Sequence, residues 1–448
     1  MNATTKVHAQ WSSRMGFVLA ATGSAVGLGN IWKFPYMVGE SGGAAFVLVY
    51  LVCIFLIGLP ILVSEWLLGR RGQKNPINTM RDMAEKNNAS KAWVLVGISG
   101  VLGAFLILSF YSVIGGWSLA YIKDAVVNNF SDQNADGIAA IFNGLLASPA
   151  QLLVWHSVFM LLVIGIVARG VTKGLEGAAN ILMPALGVLL LVLVAYGATT
   201  SGFSQALSFM FSPDWSQLTG KVVLSALGHA FFTLSLGMGI MMAYGSYIGE
   251  DIDLLKTART VVIMDTVIAL AAGMAIFPIV FTEGLDLSSG PGLIFVTLPL
   301  AFGNITGGWL VGLAFFALLS FAAITSAISL LEPVVEFVEE RSPLSRATST
   351  VVSGFAAWAL GLLALLSFNV LGDVLIFGLN FFDLLDQLTS KFMLPLTGLG
   401  GILFMAWHLD KESVRQELNL DIYDFSLWSL LTRYLAPIAV LVVFFTNL

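Results

Sequence analysis

The chain is short of charge and almost without cysteine. Only 11% of its 448 residues are Asp, Glu, Lys or Arg, where soluble domains carry about a quarter. That scarcity excludes an ordinary water-soluble globule. The one cysteine, Cys53, excludes a disulfide framework and any cysteine-built metal site. Four histidines, His8, His156, His229 and His408, are scattered and lack metal-ligand spacing. The longest polar stretches, about 70–91 and 124–148, are too short for a soluble domain. No nucleophile–base constellation is visible, so the chain does not read as an enzyme. What is present is apolar: 57% hydrophobic residues and a mean hydropathy of +0.89. The class is a polytopic membrane protein.

The first ten residues are polar, and the apolar run after them is too long for a signal segment. A membrane span needs about 20 mostly apolar residues. Eleven stretches qualify, at about 14–37, 43–69, 92–123, 149–168, 177–199, 221–247, 258–281, 307–338, 349–368, 373–406 and 425–447. The segment LSSGPGLIFVTLPLAFGN, between the seventh and eighth, suggests a re-entrant or surface hairpin instead. Basic residues gather on alternate loops: Arg70, Arg71, Lys74, Arg81, Lys86 and Lys91, then Arg169 and Lys173, Lys256 and Arg259, Arg341 and Arg346, Lys411 and Arg415. By the positive-inside rule these loops and the N-terminus are cytoplasmic.

Two spans break a membrane rule. The first contains GSAVGLGN, and the sixth has Ser235, Gly237 and Gly239 at its centre. Each glycine costs a helix about 1 kcal/mol against alanine, and lipid offers unwound backbone no water. Small-residue contacts between helices explain one such stretch on its own. A pair five spans apart points to an inverted-repeat secondary transporter. A dinucleotide fingerprint is excluded, because GLGNIW lacks the third glycine and a preceding strand. Unwound carbonyls offer oxygens to Na⁺, and a half-helix N-terminus offers amides to a carboxylate.

Four stretches carry a family pattern: WSSRMGFVLAATGSAVGLGNIWKFPY, AFFTLSLGMG, AAITSAISLLEP and LNFFDLLDQ. They resemble, in order, the first, sixth, eighth and tenth helices of the neurotransmitter:sodium symporter family, in its bacterial amino-acid branch. The resemblance implies an all-α leucine-transporter fold of eleven helices with helices 1 and 6 unwound. It implies two five-helix inverted repeats, 14–199 and 221–406, and an extra helix at 425–447.

The resemblance also implies a site. A first Na⁺ would use Ala25, Asn30 and Thr233, with Asp265 completing or adjoining the set in place of chloride. A second would use Gly23, Val26, Ala322, Thr325 and Ser326. The substrate carboxylate would sit on the amides of Leu28 and Gly29 and the hydroxyl of Tyr111. The amino group would meet Ala25, Phe232, Thr233 and Ser326. Val26, Ile107, Tyr111, Phe232, Met238, Ser326 and Leu330 would line the side-chain pocket, with Ser235 beside them. Gly27 stands where amine carriers of the family have an aspartate, so an α-amino acid is implied. No charge projects into the pocket, so an apolar side chain fits. Methionine repacks readily, so Met238 suggests room for aromatic ones.

Lys33 and Asp383 match the family's outer gating pair, with Phe232 and Tyr111 as the lid. Trp11, Tyr247 and Glu340 match the inner gate, where His8 replaces an expected arginine. Glu65 is read as a brace for a broken helix, Glu332 as one for a helix end, and His229 as structural. The implied function is Na⁺-coupled symport of hydrophobic amino acids across a bacterial cytoplasmic membrane. The implied partners are that substrate and the lipid bilayer, with a homodimer left open, no nucleic acid and no organic cofactor. Proton coupling in the same fold and a non-transporting amino-acid sensor are the alternatives.

Overall fold

The computed structural model describes residues 9–285 and 292–446. Helices account for about four-fifths of it, and one isolated bridge, Ile376 to Leu379, is the only β-type pairing among the described residues. Among the described residues nine helices are long and apolar enough to cross a membrane unaided. They are α2 (Ala44–Gly72), α3 (Lys91–Val126), α4 (Pro149–Val167), α5 (Val171–Ala198), α7 (Leu254–Thr282), α8 (Gly308–Arg341), α9 (Arg346–Leu366), α10 (Phe381–His408) and α11 (Ile422–Thr446). The two broken spans complete the expected set. The first comprises α1a (Arg14–Ala25) and α1b (Gly29–Glu40), bent by 52°. The sixth comprises α6a (Gly220–Thr233) and α6b (Ile240–Ser246).

The breaks lie where the glycines are. Val26 caps α1a in an extended conformation. In the sixth span Ser235, Gly237 and Gly239 have φ of 54°, 74° and 68°. L-residues avoid that region, so the helix cannot run through it. Glycine here also permits close approach, since a Cβ on Gly237 would lie 2.1 Å from the Leu394 carbonyl oxygen of α10. Below the break, α6b lies against α2 through two glycines. A Cβ on Gly69 would meet the Met242 carbonyl oxygen at 2.0 Å, and one on Gly245 the Trp66 carbonyl oxygen at 2.6 Å.

Some expected boundaries are corrected. The tenth span begins at Phe381, not near 373. The apolar residues before it form a turn in which Phe377 and Gly378 have φ of 54° and 80°. Asn380 then caps the helix by accepting from the Asp383 amide at 2.8 Å. The fifth span extends back through a π-helical turn, Val171–Glu176. Of the expected hairpin, the described part forms a short apolar helix, Leu293–Asn304, too short to count as a span. Its earlier part, like His8 and Asn447, lies outside the described residues.

Candidate functional site

The two breaks face each other. Ser235 of the sixth span donates its hydroxyl to the Ser24 carbonyl oxygen of the first at 2.9 Å. Ser326 of α8 donates to the same carbonyl at 3.1 Å. Between these elements lies a cavity lined by Ser24, Ala25, Gly27, Leu28, Gly29, Ile107, Tyr111, Phe232, Thr233, Ser235, Met238, Ser326 and Leu330. The expected substrate residues are therefore gathered in one place, except that Val26 does not line it and Ser24 takes part. The cavity measures about 30 Å³, enough for about two waters. An amino acid enters only if the walls part.

Leu28 and Tyr111 mark the expected carboxylate position. The Leu28 amide donates to the Tyr111 hydroxyl at 3.3 Å. An arriving carboxylate can accept from both groups. Gly27 sits against α8, and a Cβ there would lie 2.3 Å from Ser326 Oγ and 3.0 Å from the Tyr111 hydroxyl oxygen. The missing side chain thus lets α1 approach α8, besides leaving room for a substrate.

The first cluster of oxygens centres on Asp265. The Asn30 side-chain amide donates to Asp265 Oδ1 at 2.8 Å and to its carbonyl oxygen at 3.2 Å. Thr233 donates to both carboxyl oxygens at 3.2 and 3.1 Å. Tyr50 adds its hydroxyl to Oδ2 at 3.3 Å. All four side chains are buried, and Asp265 is 0% exposed. Among the described residues it forms no ion pair. A buried carboxylate needs neutralisation by a cation or a proton, and the neighbouring hard oxygens suit an alkali ion. Tyr50 is not singled out by the sequence; its only signal is a hydroxyl inside an otherwise apolar run.

The second cluster lies between α1a and α8. A Cβ on Gly23 would touch Thr325 Cβ at 3.2 Å, so the two elements meet closely. The Thr325 hydroxyl donates to the carbonyls of Phe321 and Ala322, each at 3.1 Å. Its proton is spent on the helix, leaving oxygen lone pairs for a cation. Val26 and Ala322 are buried alongside.

A cavity of about 290 Å³ adjoins the substrate residues and shares Leu28, Gly29, Tyr111 and Phe232 with them. Lys33, Asp383 and Asp386 line it too. The expected gating pair shares this vestibule, but Lys33 and Asp383 form no ion pair within 4 Å among the described residues. The Lys33 ammonium lies over the Phe232 ring, 4.3 Å from its centroid. The carboxylate acting on it electrostatically is Asp386, which lies in the LNFFDLLDQ stretch three residues after the expected gate acid.

On the N-terminal side of the site, α1a, α6b and α8 are tied together by an aromatic and polar network. Trp11 donates its indole N–H to the Tyr244 carbonyl oxygen at 3.1 Å and packs edge-on against Tyr244 and Tyr247. Ser12 and Ser13 bond the Glu176 carboxylate. Tyr247 donates its hydroxyl to Glu332 Oε1 at 2.7 Å, and Arg346 pairs with the other oxygen. Glu340 instead accepts from the Asn75 backbone and side chain at 2.7 and 2.5 Å, and from Asn78 at 2.7 Å. The family pattern groups Tyr247 with Glu340; the structure joins Tyr247 to Glu332, eight residues earlier on α8. Glu65 braces the sixth-span break by accepting from the Gly237 amide at 2.8 Å.

Paired breaks around a buried polar site, with a vestibule beside it, define a secondary transporter of alternating-access design. The model of the Sodium:neurotransmitter symporter family matches residues 8–137 and 144–448, and the chain belongs to that family. It is 38% identical over 439 residues to an uncharacterized sodium-dependent transporter, YhdH, of Bacillus subtilis, covering 97% of this chain and 96% of that one. It is 33% identical to an uncharacterized sodium-dependent transporter of Haemophilus influenzae, covering all of both. Among solved structures, MhsT in complex with L-phenylalanine superposes with a TM-score of 0.90 at 46% identity, covering 99% of this chain and 100% of that one. The protein is a multi-pass, sodium-dependent symporter of the lipid bilayer, and its family is one of transporters rather than enzymes.

Proposed function

We propose that the chain carries hydrophobic L-amino acids, aliphatic or aromatic, into the cell together with two Na⁺ ions and without chloride. The observation that carries this reading is the convergence of both helix breaks on one apolar-walled cavity with a carboxylate-and-amide cluster at Asp265. Sodium is cargo here, held by the Ala25–Asn30–Thr233–Asp265 group and by the Gly23–Val26–Ala322–Thr325–Ser326 group. The amides of Leu28 and Gly29 with Tyr111 orient the substrate carboxylate. Ile107, Phe232, Met238 and Leu330 present no charge to its side chain, which favours an apolar one. MhsT, bound to L-phenylalanine in its crystal structure, supports an aromatic substrate beside Met238.

In this reading the N-terminus is cytoplasmic and the membrane is the bacterial inner membrane. The repeats 14–199 and 221–406 rock about the site while 425–447 stays outside the repeat. Lys33 closes the outer vestibule on Asp383 or Asp386, and Trp11, Tyr247, Glu332 and Glu340 hold the inner face. Sodium and substrate stabilise one another because they share Ala25, Thr233 and Ser326, and that coupling is reciprocal. Proteoliposomes free of internal Na⁺ test it: uptake of labelled phenylalanine and leucine should follow an inward Na⁺ gradient and vanish when choline replaces Na⁺. Uptake indifferent to that replacement points to proton coupling, and binding without accumulation points to a sensor.

A further inference from the structure

A third cavity, of about 430 Å³, adjoins the vestibule through Lys33 and Phe232. Its walls come from α1b, α6a, α10 and α11. Three lysines line it, Lys33, Lys221 and Lys391, and no carboxylate does. Leu224, Leu227, Leu394, Val440 and Val443 make its apolar wall. His229, 1% exposed, also lines it, and neither ring nitrogen has a hydrogen-bond partner among the described residues. The ring is held by Phe34, Phe46 and Tyr50 at 5.4 to 6.3 Å between centroids.

A buried polar ring without a partner calls for a ligand or water. The lysine charge is only partly answered. Asp386 acts on Lys33 and Lys391 from the vestibule side, and Lys391 donates to Gln387 at 3.0 Å. Lys221 is exposed and forms no ion pair within 4 Å among the described residues. The helices flanking the cavity also carry exposed apolar residues, Val223 on α6a and Val442 and Phe445 on α11. These mark the membrane-facing side of a multi-pass protein. Basic groups above an apolar wall, beside lipid, match an anionic headgroup with its acyl chain attached.

We propose that this cavity binds an acidic phospholipid, the phosphate on Lys221 and Lys391 with His229 as a further polar contact, and the chain against Leu224, Val440 and Val443. Lys33 and Phe232 wall both this cavity and the vestibule. A bound phosphate therefore competes with Asp386 for Lys33. That consequence rests on the gating reading above; the binding itself does not.

The test uses the full-length purified protein exchanged into phosphatidylcholine with or without phosphatidylglycerol. Retained lipid is counted by mass spectrometry of the intact complex. Wild type should retain phosphatidylglycerol over phosphatidylcholine. The Lys221→Gln/Lys391→Gln variant should lose roughly fivefold in that preference for each lysine, while Lys→Arg at both sites preserves it. Gly228→Leu is a second variant that leaves the lysines intact. A Cβ there meets nothing within 4 Å, so the side chain fills the cavity without a clash at its root, and it should lower retention of phosphatidylglycerol at least as much as the lysine variant does. Equal retention of the two lipids, or a preference unchanged in both variants, overturns the proposal. Inorganic phosphate alone, tested by thermal shift in detergent, separates the sources. Lysine-dependent stabilisation by phosphate with no lipid preference means a free-anion site and refutes the lipid assignment. Transport assays stay separate, so failure of sodium coupling leaves this measurement readable.

Discussion

The side-chain amide of Asn30 donates to Asp265 Oδ1 at 2.8 Å, across 235 residues of sequence. This bond ties the second half of the broken first helix to the unbroken seventh. It places a carboxylate beside the oxygens assigned to the first sodium. Anything that binds at Asp265 therefore acts directly on α1b, which also carries the vestibule lysine, Lys33.

Removing the Asp265 charge should create a need for another anion. In Asp265→Asn or Asp265→Ser, Na⁺-dependent uptake should fall about tenfold in gluconate and recover in chloride. Wild type should be equal in both media. Retained activity in the variants that ignores chloride counts against Asp265 as the chloride substitute.

Sodium should stabilise the substrate-bound protein. With Na⁺ present and an amino acid at about 100 times its dissociation constant, unfolding should be harder by ~2.7 kcal/mol. In choline the same amino acid should give no shift. Thermal unfolding across a panel of amino acids reads this and ranks the substrates.

Gly27→Ala should damage the site through α8. The added Cβ would lie 2.3 Å from Ser326 Oγ. Overpacking of this kind typically costs about 1–3 kcal/mol. Substrate affinity measured at equilibrium should fall more than stability does, because Ser326 also serves the second sodium. An unaltered affinity would show that the approach of α1 to α8 is not needed.

Glu65→Ala should loosen the sixth-span break. It leaves the Gly237 amide buried without its acceptor, at a cost of about 1–3 kcal/mol. Thermal unfolding should shift accordingly. A stability equal to wild type would mean that the break holds itself.

Tyr247→Phe should weaken the network on the N-terminal side of the site. The hydroxyl's bond to Glu332 is lost, and a hydrogen bond to a charged group is worth about 1.5–3 kcal/mol. A cysteine introduced in place of Ser24 should become more reactive toward a reagent added from that side. Glu340→Gln, which acts on Asn75 and Asn78 rather than on Tyr247, should change that reactivity less.

The sequence was most legible where residue type alone forces a conformation. Both breaks fall within glycine-bearing runs, Gly23 to Gly29 and Ser235 to Gly239, whose composition disfavours a continuous helix. Every residue lining the substrate cavity except Ser24 was expected; most lie on or beside those breaks, and Ile107, Tyr111, Ser326 and Leu330 come from α3 and α8. Legibility fell for long-range polar partners. Tyr50 looked like any aromatic residue in an apolar span, Asp386 stood three residues from the acid expected to gate, and Glu332 carried no mark of its bond to Tyr247. The start of the tenth span is hidden in the sequence because apolar turn residues near Phe377 have the hydropathy of a helix.

The sequence by itself determined the membrane class, the number of spans, the two breaks and the kinds of oxygen available at them. Hydropathy and backbone propensity are local properties and need no partner. Only the tertiary structure decided which oxygens share a site, that Lys33 rests on Phe232 instead of pairing with Asp383, and that a lysine-lined cavity opens beside α11. Each of those depends on how separate helices cross, and a difference of one helical turn in packing changes which side chains meet.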